Sequence, residues 1–399
     1  MTAAIFAARE GAQVVLLEHK DRVGKKILST GNGRCNLSNR FQESSCYRSG
    51  QPDFPFQALG AFTLPMTLQY FEDLGVLTRE RDGYLYPYSG QASAVLDALR
   101  LGLVRESVQV VTECEISSIT PRENAKHRFE VKTSQGTFSG DALILACGSK
   151  AASGTGSDGS GYKLAKRLGH HIIKPLPALV QLRCPEKFFK QIAGVRADAS
   201  VTLYGDGRKL AEDQGEVQLT DYGISGIPVF QVSRYAARAL DEGQDVRAVL
   251  NFYPECLEEE IRRMLKERKT RLAGRQAEDF FSGWIHKKLA LLFLKQAGIR
   301  GDRTVESLTE AQIQTLGDLI CRFEVSVEGT NSFEQAQICC GGVDVREVDA
   351  QTMESKKVKG LYFAGELLDV DGICGGYNLQ WAWSSGAVAG KCAGRESEQ

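Results

Sequence analysis

The sequence carries no excess of charge of one sign and no long apolar run. It contains 49 Lys and Arg residues against 50 Asp and Glu residues, so its formal net charge is −1. Such a balance gives no support for binding to nucleic acid or to a membrane surface through overall charge. No apolar run has the length that a bilayer-spanning helix needs. We therefore predict a small-molecule substrate and neither a nucleic-acid nor a membrane partner; the oligomeric state stays open.

Histidine is scarce, and the motifs of metal and nucleophilic catalysis are missing. The five histidines are spread along the chain, and no H-E-x-x-H, C-x-x-C, Ser-His-Asp or Walker pattern occurs. The eleven cysteines lack the spacing of a zinc site or a disulfide framework, so we expect reduced thiols and a cytoplasmic location. The apolar opening has no basic segment before it and ends at Arg9, which argues against a signal peptide. These absences predict no metal site.

Length and composition are those of a globular protein with more than one domain. The chain has 399 residues, of which 42% are hydrophobic and 25% are charged. A chain of this length is longer than those that usually fold around one hydrophobic core, so two or three domains are expected.

The segment from residue 358 to residue 390 carries the strongest pattern. A short apolar run ends at Gly365 and predicts a buried strand followed by a turn. The acids Glu366 and Asp371 follow, and then the pair Gly375-Gly376 opens a segment rich in Ala, Ser and Gly. A helix that begins there would present free N–H groups and a partial positive charge to electron-rich ligand atoms. Glycines at that point would let the backbone approach a flat ligand closely.

The N-terminal segment has the pattern of the second half of a Rossmann βαβ unit. Residues 2–9 are rich in Ala and predict a helix, Gly11 ends it, and residues 13–18 read Q-V-V-L-L-E. A carboxylate at the end of such a strand accepts hydrogen bonds from an adenosine ribose, so we predict Glu18 as a ribose ligand. An exposed acid at a strand end is the alternative.

Two further segments have the composition of nucleotide-binding loops. Residues 22–39 combine Lys, Arg, Gly and amide side chains, a mixture that can fold over phosphates.

Residues 141–148 predict a buried strand that ends at Gly148. Residues 154–159 read G-T-G-S-D-G, which matches G-x-G-x-x-G only weakly because several residues separate it from the strand. This loop lies on the cofactor or substrate side, or it takes the phosphates of a nicotinamide cofactor.

Together these segments resemble the BaiN-like, or aminoacetone-oxidase-like, family of NAD(P)- and FAD-dependent flavoproteins. The resemblance rests on G-L-Y-F-A-G-E-x-L-D-V-D-G-x-x-G-G-Y-N-x-Q near the C-terminus, on the G-K-K loop ending in G-R-C-N, and on the strand D-A-L-I-L-A-C-G, where Cys147 replaces a usual Thr. It implies FAD as cofactor and NAD(P)H as electron donor. With Glu18 included, the cofactor-binding positions are Glu18, Gly24, Lys25, Lys26, Gly31, Gly33, Arg34, Cys35, Asn36, Gly148, Gly365, Glu366, Asp371, Gly375, Gly376, Tyr377 and Asn378.

The resemblance also implies an α/β fold class. This is a Rossmann-type FAD-binding domain of the two-dinucleotide-binding type, expected at residues 1–175 and 320–399. A β-rich insert at 176–252 and a small helical domain at 253–319 would interrupt it. In the family a strand and a G-x-G-x-x-G turn precede the first helix, so we expect the chain to be truncated before that turn.

The implied activity is an FAD-dependent oxidoreductase that takes hydride from NAD(P)H. Its substrate would be a small organic molecule, such as a 3-oxo steroid of the bile-acid type. The enzyme would reduce a conjugated C=C bond of that steroid. A flavin-dependent amine oxidase of the aminoacetone kind and a non-enzymatic or RNA-modification-related flavin-binding protein are the alternatives. No catalytic side chain stands out beside the flavin itself. Cys35 and Cys374 are candidates for a redox pair, although packing is the simpler role for both.

Overall fold

The computed structural model describes residues 1–122 and 125–396. The chain divides into two compact units, Met1–Leu176 with Gln337–Gln399, and Pro177–Ala336. The helices are α1 (Thr2–Arg9), α2 (Lys25–Ser29), α3 (Phe54–Ala61), α4 (Leu64–Asp73), α5 (Ala92–Arg105), α6 (Ser160–Arg167), α7 (Phe189–Ile192), α8 (Ile227–Asp241), α9 (Glu258–Arg271), α10 (Lys287–Gln296), α11 (Glu310–Cys321) and α12 (Tyr377–Glu396).

The strands follow the same chain order. They are β1 (Val15–Leu17), β2 (Ser38–Asn39), β3 (Tyr47–Ser49), β4 (Thr78–Arg81), β5 (Tyr84–Pro87), β6 (Gln109–Val111), β7 (Ile116–Pro121), β8 (Phe129–Thr133), β9 (Gly136–Gly140), β10 (Leu143–Leu145), β11 (Ile172–Ala178), β12 (Leu182–Arg183), β13 (Arg196–Gly205), β14 (Arg208–Leu219), β15 (Gly223–Gly226), β16 (Val246–Asn251), β17 (Phe323–Ser326), β18 (Gly329–Thr330), β19 (Ile338–Val343), β20 (Leu361–Phe363) and β21 (Val370–Gly372).

The first unit is built on parallel strand pairs. β1 pairs with β6, with Val15 opposite Gln109, and β10 pairs with β20, with Leu143 opposite Leu361. Parallel strands place their carboxyl ends at one edge, where α/β proteins bind ligands. The antiparallel meander β7–β8–β9 lies between β6 and β10 in the chain.

Helices α1 and α12 pack tightly against each other in this unit. A Cβ added to Gly390 would lie 2.3 Å from the carbonyl oxygen of Ala3, so only glycine permits this approach. The buried indoles of Trp381 and Trp383 extend the same core. Their N–H groups donate to the backbone oxygens of Gly365 and Leu37, each at 3.0 Å. The C-terminal helix is thereby fixed to the turn after β20 and to the loop before β2.

The second unit is a seven-stranded antiparallel sheet covered by helices. The strand order is β17-β16-β13-β14-β15-β12-β18. Helices α8 to α11 contribute apolar residues to the same core as the sheet, and Phe252, Phe293 and Phe323 meet there with ring centroids 5.5–5.9 Å apart. The unit therefore has one continuous core of its own.

This arrangement corrects two expected domain boundaries. Strands β17 and β18 were expected to return to the Rossmann domain, but β17 pairs with β16 and β18 pairs with β12 inside the seven-stranded sheet. The segment that returns is β19. The helices between residues 253 and 319 do not form a separate domain either, because their apolar residues share the core of that sheet.

Within the described part of the chain, none of the helices has both the length and the apolar character that crossing a membrane would need.

Candidate functional site

Two predicted acids lie at the carboxyl ends of parallel strands. Glu18 follows β1, and Glu366 follows β20. Glu18 Oε1 accepts the backbone N–H of Lys20 at 2.9 Å, and it lies 3.8 Å from where a Cβ on Gly156 would be. The loop after β10 therefore runs beside the end of β1.

Beyond the carboxyl ends of β10 and β20 lies a cluster formed by Lys26, Ser149 and Glu366, which we call the edge cluster. The Lys26 ammonium donates to Glu366 Oε2 at 2.5 Å, and the Ser149 hydroxyl donates to the same oxygen at 2.9 Å. The carboxylate is 18% exposed and the ammonium 26% exposed, so the pair is partly shielded from water. Ser149 is held in place because its oxygen accepts the N–H of Ala151 at 3.1 Å.

The start of α12 forms a second part of the site. Gly375 and Gly376 precede the helix with φ values of +127° and +95°, a region that favours glycine. A Cβ on Gly376 would lie 2.7 Å from the backbone of Ser38 and 2.9 Å from Asn36 Oδ1. The loop before β2 therefore passes directly beside the start of the helix.

This loop is locked to α12 by side-chain hydrogen bonds. The Ser38 hydroxyl donates to Gln380 Oε1 at 2.7 Å, and Asn39 Nδ2 donates to the carbonyl oxygen of Gly375 at 3.2 Å. Asn36 Oδ1 is buried and has no hydrogen-bond partner among the described residues. One chain segment, residues 22–39, thus connects the edge cluster with the start of α12.

Several predicted site residues have other contacts. The Lys25 ammonium pairs with Asp21 on the surface, so the structure does not bring it to Glu366. Asp371 is buried in β21, opposite Arg48 of β3. Asn378 Oδ1 accepts the backbone N–H of Gly372 at 2.8 Å, so the Asn378 side chain makes a structural contact within the protein.

The remaining predicted positions lie around these contacts. The Tyr377 ring packs edge-on against Tyr47 with centroids 5.7 Å apart. Gly365 N–H donates to Ser385 Oγ at 2.9 Å. The other loop and turn positions fall into an exposed group, Gly31, Gly33 and Arg34, and a half-buried group, Gly24 and Gly148.

Neither of the two cysteines proposed as a redox pair forms a disulfide. Cys35 is fully buried, and burial raises the pKa of its thiol to about 11. Cys374 is half-buried. Because a thiol with a raised pKa is a poor nucleophile, the surroundings of Cys35 favour a packing role.

Sequence reasoning missed the side chains that complete the site. Ser149 and Gln380 both make site contacts. Gln380 is the last residue of the C-terminal pattern but was given no role, and Ser149 belongs to no motif. The position of Ser149 directly after the predicted strand-ending glycine was the available signal. In the described residues, no group of three or more His, Cys, Asp or Glu side chains is arranged to hold a metal ion.

Comparisons with known proteins cover almost the whole chain. The family model described as "HI0933-like protein Rossmann domain" matches residues 1–392. A 3-dehydro-bile acid delta(4,6)-reductase from Clostridium scindens is 43% identical over 98% of this chain and 96% of its own length. A ribosomal RNA dihydrouridine synthase from Haemophilus influenzae is 29% identical over 95% and 92% of the two chains. Among solved structures, a 3-ketosteroid-delta4-(5alpha)-dehydrogenase from Rhodococcus jostii gives a TM-score of 0.47 at 13% identity, covering 100% of this chain and 94% of that one.

Proposed function

The chain belongs to the family of HI0933-like proteins with a Rossmann domain, and from that membership we propose that it is a reductase of conjugated C=C bonds in 3-oxo steroids of the bile-acid type. The observation that carries the proposal is the 43% identity, over 98% of this chain, to a reductase of that kind. The family resemblance and the Rossmann-type fold class predicted from the sequence are confirmed. The predicted enzyme class, an FAD-dependent oxidoreductase, is confirmed as well.

The residues at the site fit FAD. Gly375 and Gly376 form the turn that opens α12, and the free N–H groups of a helix start suit an electron-rich edge of the ring. Asn36 Oδ1 beside it is a buried acceptor without a partner among the described residues, and a ligand N–H would satisfy it. We propose that Gly375, Gly376 and Asn36 hold the ring end of the cofactor.

The opposite end of the cofactor would lie along the strand edge. Among the described residues, the hydrogen bonds that Glu366 accepts are at Oε2, so Oε1 is available as an acceptor for hydroxyl groups. Glu18 stands after β1, in the position where Rossmann proteins hold the adenosine ribose. Lys26 pairs with Glu366 and fixes the orientation of its carboxylate.

FAD, when bound, supplies two-electron hydride chemistry. The protein's own contribution is to bind, to orient and to exclude water. The first turn of α12 favours negative charge at its N-terminus through its helix dipole, and no acidic side chain occurs in that turn to oppose this. The partly buried edge cluster strengthens polar contacts because water is largely excluded there.

We propose NAD(P)H as the electron donor. The overall reaction then balances as one C=C bond, one NAD(P)H and one proton giving one C–C single bond and NAD(P)⁺. No residue described above distinguishes NADH from NADPH, so both belong in the assay.

Two other activities are outcomes of the same assay. Matches of 29% identity to ribosomal RNA dihydrouridine synthases make ribosomal RNA a substrate to include. The net charge of −1 gives RNA binding no general electrostatic support. A parallel aerobic reaction with aminoacetone, without NAD(P)H and with dissolved oxygen as the electron acceptor, tests the amine-oxidase alternative.

The test is anaerobic turnover of the FAD-loaded protein with NADH or NADPH. The substrate is a 3-oxo bile acid with conjugated double bonds, and its saturated 3-oxo analogue is the matched control. We expect mass spectrometry to show addition of two hydrogens to the conjugated compound only. Turnover of aminoacetone or unmodified ribosomal RNA, with none of the steroid, would reject the proposal.

A further inference from the structure

Tyr162 carries a buried hydroxyl that lacks a partner. It lies in the first turn of α6 and is 7% exposed. Its hydroxyl has no hydrogen-bond partner in residues 1–122 or 125–396. Leaving such a group unpaired opposes folding, so native proteins keep it mainly where a ligand or a water completes the bond.

Helix α6 is fixed next to the edge cluster. A Cβ on Gly161 would lie 2.7 Å from Cβ of Cys147 and 3.0 Å from Cδ1 of Leu367. Cys147 follows β10 shortly before Ser149, and Leu367 follows Glu366 directly. The first turn of α6 therefore packs against both chain segments that carry the edge cluster.

The acidic groups in electrostatic range of the Tyr162 hydroxyl are the thiols of Cys339 and Cys340 and the carboxylates of Glu366 and Asp369. The two carboxylates among them are engaged elsewhere. Asp369 accepts the N–H groups of Gly50 and Gly341, both at 3.1 Å. Glu366 Oε2 accepts the bonds from the edge cluster. The hydroxyl thus faces an acidic environment without bonding to it.

The hydroxyl is a donor and not a base. Burial, together with these acidic groups, raises the pKa of Tyr162 far above its usual value, so the phenol stays protonated at physiological pH. A protonated phenol beside a carboxylate suits a ligand hydroxyl, which can accept from the phenol and donate to the carboxylate. A phosphate in that place would be repelled by Glu366.

We propose that the Tyr162 hydroxyl donates a hydrogen bond to a ribityl oxygen of FAD bound beside Glu366. This inference rests on the proposed function, since it requires that the protein binds FAD. Tyr162 then contributes to cofactor affinity and, in the ligand-free protein, lowers stability.

The experiment is Tyr162→Phe, which removes only the hydroxyl. Thermal unfolding of the ligand-free protein and the dissociation constants for FAD, riboflavin and ADP are measured for the wild type and the variant. Tyr253→Phe is the matched control, because its hydroxyl lies in the second unit and bonds the carbonyl oxygen of Trp284 at 3.5 Å.

We expect Tyr162→Phe to raise the unfolding temperature of the ligand-free protein by about 2–4 °C, because the unpaired hydroxyl is gone. We expect it to weaken FAD and riboflavin binding about three- to ten-fold and to leave ADP binding unchanged, since ADP has no ribityl chain. Tyr253→Phe should change none of the three dissociation constants.

An unchanged FAD dissociation constant, an equal loss for ADP, or a lower unfolding temperature of ligand-free Tyr162→Phe would overturn the inference. Failure of the folded wild type to bind FAD would instead overturn the proposed function, so the two failures are distinguishable.

Discussion

The ammonium of Lys26 and the carboxylate of Glu366 form an ion pair 2.5 Å long that joins positions 340 residues apart in the sequence. Lys26 belongs to α2, and Glu366 follows β20. Its neighbour Lys25 pairs instead with Asp21, whose side chain is 56% exposed. The two adjacent lysines therefore have different partners. Replacing each in turn separates the effect of removing one positive charge from the effect of losing the contact with Glu366.

We expect Lys26→Met to weaken FAD binding roughly 10- to 100-fold, since a hydrogen bond to a charged group contributes about 1.5–3 kcal/mol. The physical reason is that Glu366 loses both its charge partner and its fixed orientation. Flavin-fluorescence titration measures the dissociation constant. Lys25→Met removes the same charge one residue away and should change it less than about two-fold, as exposed ion pairs contribute little. Equal losses in both variants would show that only overall charge matters.

The contact of Gly376 with Ser38 gives a second prediction. Gly376→Ala places a methyl group 2.7 Å from the Ser38 backbone in addition to forcing Ala into a left-handed φ of +95°. We expect the free energy of unfolding to fall by about 2–5 kcal/mol, the sum of backbone strain and overpacking. Urea unfolding followed by circular dichroism measures it.

Gly75→Ala is the control for strain alone. Gly75 has φ +89°, and an added Cβ would meet nothing within 4 Å. Its variant should lose only about 1–2 kcal/mol. If the two variants lose the same free energy, the close approach of the residue 22–39 loop to α12 is wrong.

Thiol labelling tests the environment of Cys35. Because burial raises the pKa of this thiol to about 11, Cys35 should react with iodoacetamide far more slowly at pH 8 than half-buried Cys374 does. Mass spectrometry of the labelled peptides gives both rates. Similar rates at the two cysteines would restore the redox-pair hypothesis.

The same pKa predicts a direction for stability against pH. The folded thiol holds its proton more tightly than the unfolded one, whose usual pKa is 9.0. Its contribution to the free energy of unfolding is therefore fully present below that value and is lost as the pH rises toward about 11. Cys35→Ala should flatten this part of the stability curve.

The sequence was sufficient for features that repeat a local physical pattern. Glu18 and Glu366 each end a short apolar run, and such a run predicts a buried strand whether or not its neighbours are known. The glycine pair at the start of α12 was predictable for the same reason, since it precedes a continuous helical segment.

Features that depend on tertiary neighbours were not predictable in this way. Which of two adjacent lysines reaches Glu366 depends on how α2 is rotated against β20, and one sequence carries no information on that rotation. Residues 323–326 alternate buried and exposed side chains and fit the edge of either sheet. Their assignment to the second unit follows from the packing of Phe323 on Phe252 and Phe293.

The second unit should fold by itself, and its limits can be tested. Residues 177–336 form a continuous stretch with its own core and a complete seven-stranded sheet. We expect this fragment to unfold in one cooperative transition in urea, reported by the fluorescence of Trp284. A fragment of residues 177–319 keeps α7 to α10 and most of α11 but lacks the end of α11, β17 and β18. It loses the buried ring of Phe323, a loss of about 3–5 kcal/mol, and the hydrogen bonds between β16 and β17. We expect this shorter fragment to unfold at lower urea concentration or without a cooperative transition. Equal stability of the two fragments would place the boundary near residue 320 and would return β17 to the Rossmann domain.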